Sequence, residues 1–543
     1  MVVPELRPWR AARPQVERIA NAVRPRLARA GAAARPQVAR LTRALRSRPL
    51  ALPRPVKTWQ YTAGAATAGL VLAAGVVTAA GPWDANGQRT AERDRAAALE
   101  RTGGADHGRS GTAVGAPRPA PSAEPVLMGL DGSTSAVDTK KAPPGGKVFS
   151  DVLKPLLDAS ALGGTHAAAV VDVATGRRLY AADADKALTP ASTTKIATAV
   201  AALSALGPDH RLTTRAALEP GTGELILVGG GDPTLTARTQ AGGTSGSSEA
   251  ESGEGWASLR TLAADTAKAL AKRGIHKVTL SYDTTLYSGP AVHPIGVNDN
   301  LAPVSALSAD EGRTNGSTSG PAPRVSDPAK DAASKFAAFL KNAGITTTPP
   351  GPSKASTLAQ TLATVSSPPL ADVVERMLTN SDNDIAEALA RQTALTSGQP
   401  GSFDGGARAI SARLTKLGLP MSGASFHDGS GLDRDDRLTA DLLTALLVTA
   451  GDPGRPGLRP VLTGLPVAGF TGTLADRYTD SAAGVVRAKT GTLTGVNTLA
   501  GTVVDADGRL LAFAFMASGT TDPVQAESAL DKTATALAGC GCG

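Results

Sequence analysis

A serine hydroxyl is a weak nucleophile until a neighbouring base removes its proton. In Ser192-Thr193-Thr194-Lys195 the serine and the lysine stand three residues apart, so on a helix they share a face and the amine reaches the hydroxyl. To act as a base, Lys195 has to spend time neutral. A partly desolvated cleft and the positive field of a second amine both lower a lysine pKa, and Lys489, in Lys489-Thr490-Gly491-Thr492, is the candidate for that amine. Between the two lies Ser381-Asp382-Asn383, whose serine can relay a proton to a leaving group and whose Asn383 can bind a substrate amide. Lys489, Thr490 and Thr492 on an edge strand offer a cation and hydroxyls to a substrate carboxylate. The backbone N–H groups of Ser192 and Thr492 are candidates for an oxyanion hole. The chemistry this set describes is acyl transfer to a serine.

The elements around the motifs fit such roles. After Pro190 the run STTKIATAVAALSALG puts Ile196, Val200 and Leu203 on one stripe, which predicts an amphipathic helix ended at Gly207-Pro208. Residues 166–173 and 178–182 read as paired strands around an Ala-Thr-Gly turn. Residues 485–489 read as another strand, 496–504 and 510–516 as a hairpin, and 523–537 as a closing helix. Strands drawn from both ends of the body with helices around them predict an α+β sheet domain. The middle, 212–362, differs: a strand at 225–228, the glycines of Gly229-Gly230-Gly231-Asp232-Pro233, and a Ser/Gly/Glu-rich loop at 240–255 read as an insertion. The catalytic part therefore divides into 147–211 and 363–539, with a short tail at 540–543.

Singly, these motifs are weak, because Ser-x-x-Lys and Ser-x-Asn recur by chance. In this order, at a helix start, an interhelical loop and a strand, they are specific. The chain resembles the penicillin-binding-protein and serine β-lactamase superfamily, and most closely its D-alanyl-D-alanine carboxypeptidase/endopeptidase branch, the class C low-molecular-mass penicillin-binding proteins. Spacing carries the finer likeness: Ser192 and Ser381 lie 189 residues apart, a gap like that left by the domains this branch inserts between its first two motifs. GGGDPTL at 229–235, APVSALSADEG at 302–312, DGSGLDR at 428–434 and FTGTLADR at 470–477 resemble it too. The resemblance covers about 148–537. It implies a serine D,D-peptidase acting on the D-Ala-D-Ala end of peptidoglycan stem peptides, with β-lactams as covalent inhibitors and no cofactor. A β-lactamase or esterase on the same scaffold, and a non-catalytic peptidoglycan-binding protein, are the alternatives. The intact set Ser192, Lys195, Ser381, Asn383 and Lys489 argues against the last.

Charge and hydropathy speak to location. The formal charge of +8 is uneven: residues 1–57 hold 14 Arg or Lys against Glu5 and Glu17. The basic balance therefore belongs to a tail, and no nucleic-acid partner is expected. Residues 58–83 carry no charge and match the length of a membrane-crossing helix. With the basic side inward, the tail is expected in the cytoplasm and disordered, short basic helices on the anionic leaflet being the alternative, and the body outside, beyond a Pro/Gly/Ser-rich linker at 84–146. A cleaved signal peptide, with Thr78-Ala79-Ala80 as its site, is the rival reading. Six scattered histidines without His-x-x-x-His spacing argue against a zinc peptidase, and His427 beside Asp428 is read as structural. Cys540 and Cys542 are expected in an exposed tail, since Cys-x-Cys is a poor disulfide geometry.

Overall fold

The computed structural model describes residues 146–238, 255–478 and 482–541. The expected tail, membrane helix and linker, and all but the end of the 240–255 loop, lie outside them. In chain order the elements are α1 (Gly146–Leu157), β1 (Thr165–Asp172), β2 (Arg178–Ala182), α2 (Thr194–Leu206), β3 (Thr213–Leu218), β4 (Leu225–Val228) and α3 (Leu259–Ala271). There follow β5 (Lys277–Val278), β6 (Leu280–Asp283), α4 (Pro328–Asn342), β7 (Thr346–Thr347), β8 (Gly351–Pro352), β9 (Gln360–Ser366), α5 (Leu370–Asn380), α6 (Asn383–Thr396) and α7 (Phe403–Lys416). The chain closes with α8 (Ala440–Gly451), α9 (Pro460–Thr463), β10 (Val486–Leu493), β11 (Val496–Val504), β12 (Leu510–Ser518) and α10 (Pro523–Ala538).

One antiparallel sheet runs β10-β11-β12-β1-β2 and joins the two ends of the body. Its strands are apolar on both faces because both are covered. Alternate residues go to opposite sides of a strand, and the two sides differ in size. Ala500, Ala512, Ala514 and Met516 meet a helical layer of α2, α5, α6, α7 and α8, where small side chains let helices come close. Leu511, Phe513 and Phe515 meet α1 and α10, where Phe513 and Phe515 stack at 5.0 Å. Each such ring contributes about 1.5–3 kcal/mol by leaving water. Beneath α10, Cys540 is buried and disulfide-bonded. That corrects the expectation of an exposed, unpaired end: the apolar face of α10 continues past its last turn and takes the cysteine with it.

A second sheet, β8-β6-β4-β3-β9, is built from residues between the first two motifs and has its own core, centred on Leu227, Leu262, Phe336 and Leu340 of β4, α3 and α4. A two-stranded parallel pair, β5 and β7, sits beside it. Through β9 this sheet reaches Ser366, paired with Thr213, past position 362 where the sequence suggested its end. The glycines at 229–231 are points of close approach. A Cβ on Gly229 would fall 2.4 Å from the carbonyl oxygen of Ala306, and one on Gly230 2.0 Å from that of Thr213.

Where the two sheets' territories meet stands α6, buried from Ile385 to Ala394 although it carries Glu387, Arg391, Gln392 and Thr393. Buried polar groups need partners, and Arg391 and Gln392 find several of theirs on inserted residues. Arg391 donates to the carbonyls of Ser288, Pro290 and Gly401 and lies over the ring of Phe403. Gln392 donates to Gly230 and to the hydroxyl of Tyr287.

Candidate active site

The three motifs converge on one pocket. Ser192 is the middle residue of a 3₁₀ turn, Ala191–Thr193, that runs directly into α2. Ala191 has φ +48°, an uncommon conformation for a residue with a side chain. The turn is held from two sides by glycines. A Cβ at Gly431 would lie 1.9 Å from the carbonyl oxygen of Ala191, and one at Gly491 2.7 Å from that of Pro190.

Lys195 follows in the first turn of α2, fully buried. Its Nζ donates to Ser192 Oγ at 3.1 Å, to Asn383 Oδ1 at 2.7 Å and to the carbonyl oxygen of Ser430 at 2.7 Å. An ammonium has three N–H groups, and all three are engaged. Burial lowers the pKa of Lys195 to about 8, against the opposing pull of Asp428, Glu387, Asp382 and Asp384.

Ser381 caps the C-terminus of α5 in the left-handed conformation, and Asp382 caps the N-terminus of α6 by accepting from the N–H of Ile385. That joint places Ser381 Oγ 2.8 Å from Lys489 Nζ. Lys489, Thr490, Gly491 and Thr492 lie within β10 on the sheet edge, so the strand expected at 485–489 extends to Leu493. Lys489 Nζ also donates to the carbonyl of Thr490 at 2.7 Å. The hydroxyl of Thr490 meets Thr473, and that of Thr492 donates to Glu527 of α10.

The two amines are close enough to influence one another. Burial, then Lys195, then Arg477 drive the pKa of Lys489 well below the usual lysine range, and burial is the largest influence lowering that of Lys195.

Several residues of the pocket were not singled out by their chemistry in the sequence. The turn 428–431 that brings Ser430 to Lys195 is folded around two buried carboxylates. Glu387 accepts from the N–H groups of Gly429 and Ser430. Asp428 accepts from those of Gly431 and Asp433. Burial pushes Glu387 up to about 7, while Asp428 is held low, against its burial, by hydrogen bonds from His293, Gly431 and Asp433. His293, buried, lies with Nε2 3.0 Å from Asp428 Oδ2. His427 instead turns outward, with Nδ1 3.6 Å from Asp436. The only signals for this network were the stretch 428–434 and the four-residue step from Asn383 to Glu387, which puts both on one face of α6.

Among the described residues, two buried groups have metal-like composition, His293/Glu387/Asp428 and Glu311/Asp382/Asp384. In the first, the polar atoms are occupied by the N–H donors just described. In the second, Arg313 pairs with Glu311 and Arg324 with Asp384. Both are hydrogen-bonded scaffolds around the motifs.

Comparison with known proteins agrees with the geometry. The family model for D-Ala-D-Ala carboxypeptidase 3 (S13) matches residues 149–323 and 314–537. The chain is similar to a carboxypeptidase DacB of Mycolicibacterium smegmatis, 37% identical over 69% of this chain and 80% of that protein. It is also similar to a D-alanyl-D-alanine carboxypeptidase of an Actinomadura species, 30% identical over 69% and 81%. Among solved structures, penicillin binding protein 4 of Haemophilus influenzae shares the fold, with a TM-score of 0.56 at 22% identity over 72% of this chain and 98% of that one. With an α+β body, two sheets and three motifs in one pocket, the chain belongs to the D-Ala-D-Ala carboxypeptidase 3 (S13) family.

Proposed function

We propose that this member of the family, a serine-type D-Ala-D-Ala carboxypeptidase, works through an acyl-enzyme on Ser192, with Lys195 as the base. The observation that carries the assignment is the environment of Lys195 Nζ, which touches Ser192 Oγ and two carbonyl oxygens. Carbonyl oxygens only accept. When Lys195 is neutral its two remaining N–H groups are kept by Asn383 Oδ1 and Ser430 O, and its lone pair is left facing the hydroxyl of Ser192.

Lys195 takes the Oγ proton as the oxygen attacks the carbonyl carbon of the penultimate D-Ala. The oxyanion is received by the N–H groups of Ser192 and Thr492. The peptide C–N bond breaks, and the departing amine of the terminal D-Ala takes a proton through Ser381, whose hydroxyl is replenished by Lys489. Lys195 then releases the Oγ proton to solvent while Lys489 regains the one it gave up; neutral again, Lys195 accepts a proton from the water that attacks the ester and returns it to Ser192 Oγ as the ester C–O bond breaks. Lys489, Thr490 and Thr492 face the carboxylate of the terminal residue. A bound carboxylate raises the pKa of an amine beside it, which favours the charged form of Lys489 in the complex.

The substrates of this reading are peptidoglycan stem peptides, or the cross-links between them when the leaving amine belongs to a second peptide, and β-lactams acylate the same serine. The body stands outside the membrane, anchored by a helix at 58–83 with 1–57 in the cytoplasm. Protease added to intact cells is expected to remove the body and spare the tail, and a mature protein beginning near residue 81 would contradict the anchor. For the activity, a bisacylated D-Ala-D-Ala peptide is expected to release free D-Ala with turnover, while a chromogenic cephalosporin is consumed about once per protein chain. Rapid cephalosporin turnover without D-Ala release would identify a β-lactamase instead.

A further inference from the structure

Both carbonyl acceptors of Lys195 are themselves held by one short inserted segment. At its C-terminal end, the carbonyl oxygen of Asn300 accepts from Asn383 Nδ2 at 2.9 Å. That contact fixes which way the amide faces, because only the nitrogen can donate to a carbonyl, and it leaves Oδ1 turned to Lys195. Next to it the N–H of Ala302 donates to Asp384 Oδ1 at 3.0 Å, pinning the same turn of α6. At its N-terminal end, His293 Nδ1 accepts from the N–H of Ile295 at 3.2 Å, so the ring hydrogen resides on Nε2 and is donated to Asp428. Asp428 shapes the turn that presents the Ser430 carbonyl. The ring of Phe403 lies edge-on to His293 at 5.0 Å, and Leu301 packs with Phe403 and Val304. The segment between the two ends is tied by Asn298, which donates to the Gly296 carbonyl and accepts from the N–H of Asn300.

We infer that residues 293–302 of the inserted region are a positioning element for the reaction, aiming the lone pair of Lys195 at Ser192 by holding Asn383 from one side and Ser430 from the other. His293 and Asn298 are its positioning residues, and neither contacts Lys195. The insertion is thereby a working part of the acylation machinery as well as a folded unit with its own core. This rests on the assignment of Ser192 and Lys195 above.

An effect of this kind has a signature. A group that only stabilises the fold changes the melting temperature. A group that binds substrate changes the dissociation constant of the initial complex. A group that aims the base changes the acylation rate constant. Stopped-flow acylation of the full-length chain by benzylpenicillin separates the last two. His293→Ala is expected to lower the acylation rate constant at least tenfold with the dissociation constant within twofold of the original. His293→Gln, whose amide still donates to Asp428, is expected to recover to within threefold.

Asn298→Ala, in a loop and away from the core, is expected to slow acylation several-fold in the same way, and Asn298→Asp, which keeps the acceptor for Asn300, to lose less. It carries the test alone if His293→Ala does not fold. Original acylation rates in the variants that fold would overturn the proposal, as would losses confined to the dissociation constant. Failure of the unaltered protein to be acylated would overturn the Ser192 assignment and the proposal with it.

Discussion

Two lysines lie in this pocket, both fully buried, and their surroundings differ. Lys195 is ringed by Asp428, Glu387, Asp382 and Asp384, which offset much of its desolvation and leave its pKa at about 8. Lys489 is near Lys195 and Arg477, and with burial they hold its pKa well below the usual lysine range. Desolvation alone would make both amines neutral and indistinguishable. The carboxylates behind Lys195 are what keep one amine close to its titration point near neutral pH, where a base is most effective.

The comparison is broken most severely through Lys195. Lys195→Met is expected to lower the rate of benzylpenicillin acylation by ~10³-fold or more, the scale on which an essential base contributes, read by stopped-flow fluorescence. A residual rate within tenfold of the original would remove Lys195 from the chemistry. Lys489→Met is expected to cost about 10²-fold in kcat/KM for a D-Ala-D-Ala peptide, as an electrostatic contact to the reacting ligand does. Against the same peptide ending in a carboxamide the cost is expected to be much smaller. Equal losses on both peptides would mean that Lys489 acts on the serine and not on the carboxylate.

The pH profile sharpens the same contrast. Only neutral Lys195 is a base, and a pKa of about 8 leaves about one molecule in ten competent at pH 7. The sign is fixed: kcat/KM is expected to rise with pH through about 8 and to fall tenfold per unit well below it. A flat profile between pH 6 and 9 would contradict the assignment. The smallest effect belongs to the second sheet's helix α3, capped by Ser258, whose Oγ accepts from the N–H of Thr261. Ser258→Ala is expected to cost about 1 kcal/mol of stability in thermal denaturation and to leave the acylation rate unchanged. A fall in that rate would show that helix α3 is coupled to the pocket.

The parts legible in the sequence were those set by short-range spacing. Ser192 and Lys195 share a helix face; Ser381-Asp382-Asn383 sits at a helix joint; and β4, β11 and α10 follow from patterned apolar runs. The parts that escaped act through the main chain or across long gaps. Ser430 and Asn300 contribute carbonyl oxygens, which every residue has, so their side chains carry no signature. His293 meets Asp428 across 135 residues. That Lys195 has Asp428, Glu387, Asp382 and Asp384 around it is a matter of packing that spacing cannot report. Cys540 was misjudged because adjacency in the chain said nothing of the groove beneath α10.

The account's central claim is that Ser192 is the acylated residue. Incubating the full-length protein with benzylpenicillin, then measuring intact mass and mapping the modified peptide, tests it most directly. The expected result is a single penicilloyl adduct on the peptide that contains Ser192, absent from Ser192→Ala. An adduct of equal yield in Ser192→Ala, or one located on another residue, would contradict it.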